Sequence, residues 1–189
     1  VYDGGEISMF YDSMIAKLIV HGQDRNDAIQ KMRAALNGFV IKGISSNIPF
    51  QSALLAHPKF VSGDFNTGFI AEHYAHGFVA EDVPHEDPDF LIALAAYMYR
   101  RYRARACGIT GQLAGHEVRI GEAFVVVALG AQGQHQYHPV TVTDYEDQTG
   151  SSAISIGAKS YRISSNAHLG SIRVQGACNG QGFTAQVER

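Results

Sequence analysis

The sequence predicts an α+β chain in two parts, and three observations predict it. Residues 11–20 are an apolar run that gives way at once to helical periodicity, as a strand leading into a helix does. Residues 90–99 are apolar with no polar face. After Cys107 the chain is rich in glycine and poor in charge, with short apolar or alternating segments between the glycines. The second part is therefore expected to be a small antiparallel β-barrel, or a strongly curled sheet, wrapped around one long apolar helix.

In the first part, Tyr11 and Asp12 mark the polar entrance of a strand whose buried side would be Ile15, Leu18, Ile19 and Val20. Asp24-Arg25-Asn26-Asp27 is a helix start, leading into Ala28, Met32, Ala35, Leu36 and Phe39 at helical spacing. Residues 39–43 read as a second short strand, and Ser46-Asn47-Ile48-Pro49-Phe50 opens another helix with proline just inside it. Residues 79–88 are an acidic, proline-bearing linker whose last carboxylates suit the positive end of a helix.

That helix, over 88–106, must be enclosed. A helix apolar all round needs protein or lipid about it, and this run falls well short of the ~20 residues a bilayer requires. Its last turns carry Arg100, Arg101, Arg103 and Arg105, which complement the negative helix end and should emerge into water. The enclosing strands are expected at 123–129, 137–144, 153–156, 160–164, 171–175 and 183–187. Gly130, Gly133, Gly150, Gly157, Gly170 and Gly180 supply the turns.

Composition bounds the function. With 189 residues, 46% hydrophobic and 17% charged, the chain has ample length for a core and is not of disordered type. A net charge of -3 argues against general nucleic-acid affinity. No secretory signal or membrane-length run is present, and the absence of an initiator Met suggests a piece of a longer polypeptide. Cys107 and Cys178, far apart and in no Cys-x-x-Cys motif, read as reduced thiols.

Several motifs in order carry a resemblance. Tyr-Asp-x-Met-Ile-Ala-Lys-Leu from Tyr11, Ala-Ile-x-x-Met-x-x-Ala-Leu from Ala28, Gly-x-x-x-Asn-Ile-Pro-Phe from Gly43 and Ser-Gly-Asp-Phe-x-Thr-Gly-Phe-Ile from Ser62 resemble the C-terminal end of biotin carboxylase. Residues 1–78 would then be the C-terminal portion of an ATP-grasp biotin carboxylase domain. Residues 89–189 resemble, more loosely, the domain that bridges the subunits of acyl-CoA carboxylases, and are expected to stop before its final strands. The pattern Gly-x-x-x-x-His-Glu-x-Arg-x-Gly-x-x-x-Val-Val-Val from Gly111 is most like that of propionyl-CoA carboxylase alpha subunits.

The resemblance implies the chemistry of a biotin-dependent ligase: ATP-dependent carboxylation of biotin, with Mg2+ on the phosphates, then carboxyl transfer to an acyl-CoA by a carboxyltransferase beta subunit. It implies biotin, ATP and Mg2+ for the full-length enzyme, none bound to this segment. The partners implied are the beta subunit and a biotin carrier domain of the same chain, whose Ala-Met-Lys-Met lysine is absent here. A bacterial cytoplasm or a mitochondrial matrix would be its location. Methylcrotonyl-CoA or acetyl-CoA carboxylase is an alternative, since acyl choice belongs to the carboxyltransferase; so is a stand-alone interaction module.

By the same resemblance, Tyr11 and Asp12 form part of an active-site wall, where the Asp12 carboxylate would orient an arginine; its plain alternative is a strand-edge aspartate. Asn66 and Thr67 lie in the stretch that passes near the nucleotide, or simply start a helix. The lid, the phosphate-binding lysines and the magnesium-binding glutamates would lie upstream, so this segment alone should be catalytically inert. Arg100, Arg101, Arg103 and Arg105 are candidates for partner docking rather than nucleic-acid or membrane binding. His73, His76, His135 and His138 lack ligand partners at metal spacing, and no metal site is expected.

Overall fold

A computed structural model describes every residue except 1, 9, 11, 13, 80–81, 84–86, 131–132, 147–148 and 189. Helix α1 (Arg25–Gly38) starts where the sequence places it. The Asp24 carboxylate accepts the Asp27 N–H at 2.8 Å, and the Asp27 carboxylate accepts the Gln23 N–H at 2.8 Å, so two orphan donors are met reciprocally. Lys31, one turn on, donates to Asp27 at 2.8 Å and holds its carboxyl below the usual range. Gly22 lets the chain enter closely, because a Cβ there would lie 2.3 Å from the Ala28 nitrogen.

Helix α1 buries Ile29 and Leu36. Helices α2 (Ile48–Ala56), α3 (Pro58–Ser62) and α4 (Phe69–His73) follow. Proline occupies the first turn of both α2 and α3, where no N–H partner is lost. Phe69 is buried and meets His57 and His73 at ring-centroid distances of 4.9 and 4.7 Å. Burial, with His73 and Lys59 nearby, lowers the His57 pKa.

The two strands expected in this part are not formed. The described residues of 12–20 and residues 39–43 pair with no strand, and Ile19 is 85% exposed. A strand requires a neighbour for its backbone N–H and C=O groups, and no neighbour is supplied among the described residues. The extended segment instead lies beside Leu36, Phe39, Ile41 and Ile48 and lines a groove with them.

Helix α5 (Pro88–Cys107) and six strands make the second part. These are β1 (Ala123–Leu129), β2 (His135–Glu146), β3 (Ser151–Ile156), β4 (Lys159–Ser164), β5 (Arg173–Cys178) and β6 (Gln181–Gln186). They form one antiparallel sheet in sequence order. Residues 135–141 of β2 pair with β1, and from Thr141 onward β2 pairs with β3, which curls the sheet. β4 and β5 share only two register pairs, Ile163↔Cys178 and Ser164↔Ala177.

One face of α5 packs into this curve. Ile92, Ala93, Leu94, Ala96, Tyr97 and Met98 are buried with Val140, Val142, Ile154, Tyr161, Ile163 and Val174. The buried Tyr97 hydroxyl donates to the Gly150 carbonyl, and Gly150 has φ +59 with no room for a Cβ, which would stand 2.6 Å from the Ser165 oxygen.

The sheet is a half-barrel: it curls over the helix as expected, and the closed barrel of the expectation is corrected to an open one. Among the described residues β1 and β6 do not pair. Leu91 and Tyr99 are 49% and 53% exposed, and Ala95 between them is exposed as well. Their spacing of four puts all three on one stripe of the helix. An apolar decad shows that a helix has no polar face; it does not fix how many sides its neighbours cover.

Candidate docking surface

The surface that distinguishes the second part lies where α5 ends. Its four arginines divide into two pairs. Arg100 lies over the Tyr145 ring, 4.5 Å from its centroid, and Arg101 approaches Tyr97 at 5.8 Å, so both fold back on the domain. Arg103 and Arg105 are exposed.

Residues 108–122, between α5 and β1, contain no helix or strand. Most connections in compact domains run to ~4–6 residues, and longer ordered ones are commonly functional. Gln112 holds this loop together. Its Nε2 donates to the Cys107 and Ile109 carbonyls at 2.7 and 2.9 Å, and its Oε1 accepts the Val118 N–H at 2.7 Å. The Glu117 carboxylate accepts the Gly115 N–H at 3.0 Å, which lowers its pKa.

The shaped loop presents Ile109 at 63% exposure and Leu113 at 71%, close in sequence to the exposed Arg103 and Arg105. Aliphatic anchors with a cationic margin suit a protein partner better than a small molecule. The sequence reading used residues 111–127 only as a family motif and gave this loop no surface role. Its signal was a long connection containing Gln112 and aliphatics outside any helical or strand period.

The other end of α5 is pinned by charge. The Asp87 carboxylate accepts the Tyr161 hydroxyl at 2.7 Å, and Lys159 bridges Asp87 and Asp89 at 3.1 and 2.6 Å. The Tyr161 hydroxyl and Lys159 together hold the Asp87 carboxyl below its usual range. Burial and the Asp87 carboxylate push the Tyr161 hydroxyl up to about 12, and the two carboxylates raise Lys159 further.

The remaining candidates lie in the first part. Asp12 is exposed and lines the groove with Leu36, Phe39, Ile41 and Ile48; Tyr11 lies outside the described residues. Asn66 and Thr67 are exposed and do not line that groove. Asn66 Oδ1 accepts the Gly68 N–H at 2.6 Å, closing the turn before α4, whose N-cap is Gly68.

Residues 1–72 match the family model of the biotin carboxylase C-terminal domain, and residues 91–189 match that of the propionyl-coenzyme A carboxylase BT domain. The chain belongs to this propionyl-coenzyme A carboxylase BT family. A propionyl-CoA carboxylase alpha chain of Ruegeria pomeroyi is 41% identical over 181 residues, covering 94% of this chain and 26% of that relative. The human mitochondrial propionyl-CoA carboxylase alpha chain is 34% identical over 106 residues, 56% of this chain and 15% of its own length. Biotin carboxylase 1 of Bacillus subtilis is 50% identical over 76 residues, 40% of this chain and 17% of its own. The chain thus spans about a quarter of the Ruegeria alpha chain. The BT-family region begins within the first turn of α5 and takes in the rest of that helix, the loop and the six strands. No helix among the described residues is long and apolar enough to cross a membrane.

Proposed function

We propose that this chain is the junction of a biotin-dependent acyl-CoA carboxylase alpha subunit, acting on propionyl-CoA, where the carboxylase domain ends and the subunit-bridging domain begins. In this reading residues 1–78 close the carboxylase domain, 79–88 are the linker, and 89–189 dock the carboxyltransferase beta subunit. The two family matches in this order support that division.

The whole enzyme would activate bicarbonate with ATP, carboxylate biotin on the carrier domain of the same polypeptide, and deliver the carboxyl group to propionyl-CoA on the beta subunit. Magnesium would serve the phosphates. Among the described residues no group of three or more His, Cys, Asp or Glu side chains is placed to hold a metal ion, and the sequence carries no Gly-x-x-x-x-Gly-Lys-Ser/Thr phosphate loop. The role of this segment is positional. Asp12, with Tyr11, would contribute a wall of the carboxylation site, and Asn66 and Thr67 would pass near the nucleotide. A tethered biotin reaches two centres efficiently only when their separation matches its span, so a docking module adjoining the carboxylase is a functional part of the catalyst.

The exposed aliphatic and arginine surface at the end of α5 carries the docking reading. The test is gel filtration of this chain with a propionyl-CoA carboxylase beta subunit. Co-elution is expected, and charge reversal at Arg103 and Arg105 should weaken it while leaving the melting curve in place. Separate elution of the wild-type chain would overturn the reading.

A further inference from the structure

The β5–β6 hairpin turns through Asn179 and Gly180, between the paired Cys178 and Gln181. Both turn residues have left-handed backbones, φ +50 and +83, the geometry of a type I′ turn. The turn also reaches back to β4. Asn179 Oδ1 accepts the Arg162 N–H at 2.8 Å, and the Asn179 N–H donates to the Arg162 carbonyl at 2.9 Å. Since β4 and β5 share only two register pairs, this clasp is a large share of what joins them.

The same contact has a chemical consequence. An asparagine amide carbon can be attacked by the backbone nitrogen of the next residue, closing a five-membered ring. Glycine at that next position offers no side chain as a shield, and nothing lies within 4 Å of where a Cβ of Gly180 would stand. In the attack, negative charge develops on Asn179 Oδ1, which the fixed Arg162 N–H already faces. A preorganised donor at a developing oxyanion accelerates acyl transfer.

We propose that Asn179-Gly180 is a site of spontaneous deamidation, promoted by the backbone N–H of Arg162. The Gly180 nitrogen gives its proton to water and bonds to Asn179 Cγ. The Cγ–Nδ2 bond breaks and Nδ2 leaves as ammonia with a proton from water, forming a succinimide. A second water opens the ring at either carbonyl, giving aspartate or isoaspartate. Aspartate keeps the acceptor for the Arg162 N–H. Isoaspartate adds a methylene to the main chain, which a two-residue turn cannot hold, so the β4–β5 joint loosens.

The test is peptide mass mapping of the intact chain held in mildly alkaline buffer, beside a synthetic peptide spanning residues 175–185 in the same buffer. The folded chain is expected to lose ammonia at Asn179 faster than the unstructured peptide by roughly an order of magnitude, less than the ~10²–10³ of a full oxyanion donor because the Arg162 N–H already bonds the ground-state oxygen. A rate in the folded chain equal to or below that of the peptide overturns the proposal.

Discussion

Replacing Tyr97 with Phe isolates one oxygen atom in the core of the second part. The side chain is fully buried, and its hydroxyl donates to the Gly150 carbonyl, with the Ser165 carbonyl a further 3.4 Å contact. Phenylalanine keeps the ring between α5 and the sheet, so packing is almost unchanged. The variant loses a hydrogen bond worth about 1 kcal/mol and leaves a buried carbonyl unmet at a cost of about 1–3 kcal/mol, which overlap to about 2 kcal/mol in all. If all 189 residues melt as one unit, this lowers Tm by about 4–8 °C, and by more if the second part melts alone. Thermal and urea unfolding followed by circular dichroism measure the shift. A Tyr97→Phe chain melting within about 1 °C of wild type would refute the claim that this hydroxyl ties α5 to the β2–β3 turn.

Leu94 is 4% exposed within the apolar cluster, so Leu94→Asp should unfold the second part, because an unpaired carboxylate there costs several kcal/mol; an unaltered melting curve would show the helix unpacked. The Asp87 carboxyl is held low by the Tyr161 hydroxyl and by Lys159. Its contribution to stability is therefore complete above the unfolded value near pH ~4 and is lost as pH falls through the lower folded value. Melting scans at acid pH should show this loss, and Lys159→Ala should shrink it. Tyr161 acts in the opposite sense, stabilising while neutral and losing that contribution as pH rises through about 12. Gln112→Ala removes three hydrogen bonds from the loop over 108–122. Amide exchange there should quicken while Tm stays in place, since the loop lies outside the core.

The parts of the fold legible in the sequence were those set by local chemistry. Asp24 and Asp27 announce α1, and the glycines at 130, 133, 150, 157 and 180 mark hairpin turns whose flanking segments became β1 to β6. The misreadings arose where structure depends on a distant neighbour. Residues 15–20 have the composition of a buried strand, but composition does not supply the strand beside them. The decad over 90–99 is apolar throughout, yet the open sheet covers one side and leaves Leu91 and Tyr99 half exposed. The bonds of Lys159 and Tyr161 to Asp87 link residues 72 and 74 positions apart, and no period or motif encodes them. In the candidate surface, the arginines were visible as a run, but only packing onto Tyr145 and Tyr97 separates Arg100 and Arg101 from the exposed Arg103 and Arg105.

The central claim is that the end of α5 and the loop after it meet the carboxyltransferase. Hydrogen–deuterium exchange of this chain, alone and with a propionyl-CoA carboxylase beta subunit, tests it directly. The account predicts slowed exchange across residues 103–118 on addition of the partner, with α1 to α4 unchanged. Protection confined to α1 to α4, or none anywhere in the chain, would contradict it.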